Sequence, residues 1–166
     1  MVKTKMAAVL LGMALAGASS LAKAQIIVGT CAAGTQYSTI QAAVNAAPSG
    51  STIKVCPSGY PEQVVIEKPL TLQGMIAQGT EGALLLQPSA GFVNSDTTQW
   101  GAQILVKNTT GVTISNLIVD GTSTTRARAS PNLAGISFHN ASGTVNKVSV
   151  RNQVVLVWLA NASTMG

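Results

Sequence analysis

Ile114-Ser115-Asn116-Leu117-Ile118-Val119-Asp120-Gly121 is answered 31 residues later by Val145-Asn146-Lys147-Val148-Ser149-Val150-Arg151-Asn152. Both segments carry apolar residues at their first, fourth and sixth positions, a polar residue at the third, and Gly or Asn at the eighth. Val64-x-Ile66-x-Lys68-Pro69-Leu70-x-Leu72-x-Gly74 has the same apolar beat and ends on the same turn residue. Two apolar pairs parted by a polar turn make one coil of a solenoid: inner positions stack on the next coil and outer ones face water. Asn at a corner tolerates left-handed backbone angles and can bond the Asn of its neighbour.

Outward from these segments the chain reads as short strands with Gly, Asn, Pro or Ser between most of them. They run over 52–56, 64–67, 70–72, 83–87, 103–107, 112–114, 117–120, 135–139, 145–150 and 154–160, after a first β-prone run, Ile26-Ile27-Val28. A β-sandwich would also give many short strands, but two-residue hairpin signals are few, Asp120-Gly121 being the nearest. One helix is expected at about 38–47. Ser38-Thr39-Ile40-Gln41 reads as a capping box, Ile40, Ala43, Val44 and Ala47 form one apolar stripe, and Pro48-Ser49-Gly50 stops it. Such a helix suits a solenoid end, where a polar outer face must cover the open first coil.

Residues 1–24 read as a secretory signal. Lys3 and Lys5 make a positive start, 6–18 is an uncharged apolar run, and Ala22-Lys23-Ala24 is a small-x-small cleavage site. The run is too short to span a bilayer, which needs ~20 residues, and no later stretch is long enough. The expected location is therefore extracellular or periplasmic. Lys3, Lys5 and Lys23 leave with the signal, so seven basic residues against five acidic ones leave a net charge of +2 on 25–166. That argues against nucleic acid as a partner. Low charge with much Val, Ile, Thr, Asn, Ser and Gly suits one β-rich domain and excludes disorder. Cys31 and Cys56 are the only cysteines. In an oxidising compartment they are expected to pair, closing a loop worth roughly 3 kcal/mol. No Cys/His cluster has metal-site spacing, and no cofactor is expected.

Residues 37–53, Val55-Cys56-Pro57, Gly59-Tyr60-Pro61-Glu62-Gln63-Val64 and Lys68-Pro69-Leu70-Thr71-Leu72-x-Gly74 resemble the start of the pectin-lyase-like superfamily. The Tyr60 segment is similar to an element near the start of pectin methylesterases, with Gly59 one position closer to Tyr60. The resemblance is strong over 37–74 and loose over 103–152. It implies an all-β, right-handed parallel β-helix of about four to five coils with a short N-terminal capping helix. It also implies polysaccharide binding or processing as the field of activity.

An esterase of this kind needs two Asp, oxyanion-stabilising Gln side chains and an Arg. A lyase needs a Ca²⁺ cluster of carboxylates and a base. The esterase motifs are absent, and the acids Glu62, Glu67, Glu81, Asp96 and Asp120 are well separated in sequence, where only the stacking of coils could gather them. Asp120, at a strand end, is the catalytic candidate, with a turn-forming role as the plain alternative. Arg126 and Arg128 share a polar loop that could take acidic sugars through bidentate carboxylate contacts. Trp100 could stack on a sugar ring, and Tyr60 completes the substrate-binding candidates; the plain alternatives are a solvated loop and packing on the helix cap. His139, the only histidine, reads as a corner residue. Asn108, Asn140 and Asn161 open glycosylation sequons. The apolar stretch 154–160 near the chain end reads as an uncapped last coil: a fragment of a longer β-helix, or a surface for self-association. Three functions remain open: a polysaccharide-binding solenoid without turnover, a pectin esterase or lyase with its catalytic coils elsewhere, and an adhesin-like structural solenoid.

Overall fold

The computed structural model describes residues 25–77, 79, 82–88, 92, 100–122 and 132–153. In chain order these form β1 (Ile26–Val28), β2 (Thr35–Tyr37), α1 (Ile40–Ala46), β3 (Ser51–Val55), β4 (Ser58–Pro61), β5 (Val64–Ile66) and β6 (Leu70–Gly74). Then follow β7 (Ala83–Leu86), β8 (Trp100–Lys107), β9 (Val112–Ser115), β10 (Leu117–Asp120), β11 (Asn132–His139), β12 (Gly143–Asn146) and β13 (Ser149–Arg151). The strands make three sheets: A, in the order β12-β9-β6-β3-β1-β2; B, β13-β10-β7-β4; and C, β11-β8-β5. The pairings are parallel. From β3 onward the chain visits A, B and C in turn, so each strand pairs with the one three places further on.

Register lines up like with like. In sheet A, Ile26, Ile53, Leu72, Ile114 and Val145 form one column. In sheet B, Tyr60, Leu85, Val119 and Val150 form another. In sheet C, Val64 lies beside Ile104 and Ile66 beside Val106. These columns are buried except at one end, where Val145 and Val150 stay 46% and 47% exposed. Burial alternates along β3, β6 and β9, as a pleat packed on one side requires. Fully burying each Ile or Leu contributes about 1.5–3 kcal/mol.

The 31-residue repeat is the ladder itself: Ile114 pairs Val145 and Val119 pairs Val150. The third segment needs correcting. Leu70, Leu72 and Gly74 stack beside Val112, Ile114 and Asn116 in sheet A, not beside Leu117, Val119 and Gly121 in sheet B. Every face has the same period-two beat, so the beat alone cannot tell one sheet from another. The strand expected over 145–150 is two strands, β12 and β13, broken at Lys147, whose φ is 53°. The expected run over 154–160 lies outside the described residues, as do residues 1–24, where a secretory signal is expected.

Left-handed corner residues recur: Asn108, Asn116, Asn140, Lys147 and Asn152 all have φ between 48° and 55°. Asn140 Nδ2 donates to Asn108 Oδ1 at 3.1 Å, the side-chain ladder expected of stacked corners. It also ties two of the sequon asparagines to each other.

The helix buries Ile40, Ala43 and Val44 against the strands, but its start differs from the capping box. Thr39, with extended backbone angles, is the N-cap and accepts from Ala42 N at 3.2 Å. The Ile40 and Gln41 amides donate to the Glu62 carboxylate at 2.7 and 2.8 Å. The Gln41 side chain is thereby released to pair with β5, accepting from Val65 N at 2.6 Å and donating to Val65 O at 3.2 Å. A long-range carboxylate thus displaces the local capping residue. The Cys31–Cys56 disulfide is present, closing a sequence separation of 25.

Candidate site at the junction of sheets B and C

Asp120 ends β10, in register with Arg151 of β13. Its carboxylate is nearly buried, and both oxygens are engaged. Oδ2 accepts from Arg151 Nε at 2.7 Å. Oδ1 accepts from Thr122 N and Asn152 Nδ2, each at 2.9 Å. Burial pushes the Asp120 pKa up, but the bonds from Asn152, Thr122 and Arg151 outweigh it and hold the carboxyl well below the usual range. A carboxylate so solvated by donors is a poor base and a poor nucleophile. It is well made for fixing a guanidinium: the Arg151 side chain is held by its Nε edge and stays 40% exposed.

Behind the ion pair lies a layer of amides. Gln103, fully buried in β8, donates through Nε2 to Asp120 O at 2.8 Å and Leu85 O at 3.3 Å. Its Oε1 accepts from Gln153 Nε2 at 2.9 Å, and that same nitrogen reaches Arg151 O at 3.0 Å. Gln87 Nε2 donates to Gly121 O. The backbone ends of β7, β10 and β13 are thereby tied together from within. Gln153 Oε1 is buried without a hydrogen-bond partner among the described residues, an acceptor whose desolvation costs about 1–3 kcal/mol until a donor arrives. Gly121 is required here, since a Cβ would run into the Asn152 carbonyl.

Among the described strands the chain passes from B to C three times. The first passage is residues 62–63; the other two are the long segments 87–99 and 121–131. Both long segments leave sheet B beside Asp120, and long connections are where binding residues concentrate. The second carries Arg126 and Arg128, which lie outside the described residues. The first leads into Trp100, which opens β8 in register with Asn132. Connectivity therefore places Asp120 at the start of the 121–131 connection and Trp100 at the end of the 87–99 one.

Tyr60 is elsewhere. It sits in β4, at the opposite edge of sheet B from β13. Its buried hydroxyl is shared between Cys56 O at 2.9 Å and Val28 O at 3.3 Å, and burial together with the Glu62 charge raises its pKa. It lines a cavity of about 420 Å³ beside the disulfide, with Ser38, Ser58 and Glu62. His139 ends β11 at the surface, where its carbonyl accepts from Asn108 N at 3.2 Å. Gln103 and Gln153 escaped the sequence reading. The one available signal was a Gln set against Ile104-Leu105-Val106, a polar residue inside an otherwise apolar run. Among the described residues, no group of three or more His, Cys, Asp or Glu is placed to hold a metal, and no helix is long and apolar enough to cross a membrane.

No family model, no curated protein and no solved structure matches the chain.

Proposed function

We propose that the chain is an exported right-handed parallel β-helix that binds an acidic polysaccharide at the B–C junction without turning it over. The cyclic order of the three parallel sheets supports the β-helix reading, and the disulfide supports an oxidising destination. The observation that carries the binding reading is the Arg151 guanidinium, fixed by Asp120 where the two long connections leave sheet B. Arg126 and Arg128 on one connection and Trp100 at the end of the other add the charge and the ring that a uronic acid chain uses. The commitment of both Asp120 oxygens favours binding over catalysis.

Affinity electrophoresis in gels containing polygalacturonate or a neutral galactan tests this. The expected result is retardation by the polyuronate alone, about tenfold weaker in Arg151→Gln and in Arg126→Gln/Arg128→Gln, with no methanol or unsaturated product released. Equal retardation by the neutral polymer, or steady product release, would overturn it.

A further inference from the structure

The two halves of the Cys31–Cys56 disulfide stand in unlike surroundings. Cys31 is exposed, whereas Cys56 is buried, at 3% exposure. The Cys31 amide donates to Cys56 Sγ at 3.0 Å, a bond that strengthens when that sulfur takes on negative charge. The cavity of about 420 Å³ is lined by both cysteines, and its volume falls in the range of small-molecule sites. What the disulfide holds is a flap. After β1 the chain turns and returns as β2, a three-residue strand at the outer edge of sheet A. Ile27 lies in the outward column of that sheet, in register with Lys54, yet it is fully buried. The flap covers it: a Cβ on Gly34 would come within 2.9 Å of Ile27 Cγ1. Beyond the β1–β2 ladder, the flap is closed by Gly29 N donating to Tyr37 O at 2.8 Å and Thr35 N donating to Gln25 O at 3.1 Å. The disulfide ties this flap to the residue that follows β3.

We propose that this disulfide is a thiol-exchange site: a low-molecular-weight thiol enters the cavity, adds to Cys31 and frees the flap. The incoming thiol gives its proton to water, and its thiolate attacks Cys31 Sγ, the accessible sulfur. A new S–S bond forms there as the bond between Cys31 and Cys56 breaks. The electron pair of the broken bond goes to Cys56 Sγ, where the Cys31 amide steadies the charge until water supplies a proton. The chain is left with a mixed disulfide at Cys31 and a free thiol at Cys56, and no other oxidant or reductant is consumed. With its covalent tie gone, the flap is held only by short-strand hydrogen bonds. Its release bares Ile27 and the edge of β1 at the helix-bearing end of the stack. The site is separate from the B–C junction and does not depend on what binds there.

The test incubates the native, oxidised chain with reduced glutathione, blocks free thiols with N-ethylmaleimide and maps both labels by peptide mass. The expected result is glutathione on Cys31 and maleimide on Cys56, with faster hydrogen exchange over 26–28 and 35–37 and none of this change in α1. Ser58→Trp fills the cavity from an exposed position of β4. It is expected to slow the adduct about tenfold, with the thermal melt and the reaction rate in urea unchanged. Reaction of the wild type only in urea would make the disulfide an inert staple and overturn the proposal. Glutathione on Cys56 would overturn the assignment of the attacked sulfur. Wild-type speed in a folded Ser58→Trp would overturn the cavity as the entry. An adduct on Cys31 with unchanged exchange over 26–28 would overturn the flap.

Discussion

Asp120 shows what one residue can reveal only in three dimensions. In sequence it is a carboxylate at a strand end, equally suited to catalysis or a turn, and its partners Arg151 and Asn152 are some thirty residues away. Its depressed pKa makes it stabilising above the unfolded value near ~3.9, and that contribution fades as pH falls toward the folded value. Asp120→Asn is therefore expected to cost about 1–3 kcal/mol at neutral pH, discounted for the exposure of Arg151. The gap from wild type should begin to narrow below about pH 4 and close only as the pH approaches the depressed folded value; urea melts at several pH values check both. Lys147 carries the opposite lesson. It occupies the left-handed corner that Asn116 fills in the preceding repeat, a conformation that costs a residue with a Cβ about 1–2 kcal/mol. Lys147→Gly should leave stability unchanged or raise it by up to about 1 kcal/mol, read as a shift in melting temperature.

At the level of elements, local pattern was readable and partnership was not. The apolar stripe located α1 and the alternation located β3, β6, β9 and β10, because side-chain periodicity is a property of a few neighbouring residues. The N-terminal cap was misplaced because the competing carboxylate, Glu62, comes from another element. Glu62→Gln should weaken the cap by about 0.5–2 kcal/mol and speed hydrogen exchange at the Ile40 and Gln41 amides, leaving the strands protected. Rank along a ladder should matter as well. Ile114, fully buried between two rungs, should cost about 2–5 kcal/mol when cut to Ala. Val145, the half-exposed end of the same column, should cost under about 1 kcal/mol; denaturant midpoints of the two variants make the comparison.

At the scale of the whole molecule, the repeat of 31 residues foretold the stacking, and the order of the sheets could not be foretold. Three faces share one apolar rhythm, so only pairing distinguishes Leu72 beside Ile114 from Leu72 beside Val119. The pairing of Asp120 with Arg151, where both long connections leave sheet B, depends on that order, and so was not legible beforehand. The disulfide joins the segment after β1 to the end of β3, at the helix-bearing end of the stack. Cys31→Ser/Cys56→Ser should lower stability by roughly 3 kcal/mol in the chain-entropy model, visible as an earlier urea midpoint. The passages between sheets have one further consequence. A to B between β9 and β10 is the single residue Asn116, whereas B to C runs through 87–99 and 121–131. One residue added at Asn116 would turn β10 inside out, sending Val119 to solvent and Ile118 to the core. The same insertion within 121–131 changes no register. Length variation among descendants of this chain would therefore gather at one junction, the same one that carries its arginines, so a lineage could remodel its ligand preference by indel while the scaffold stays intact.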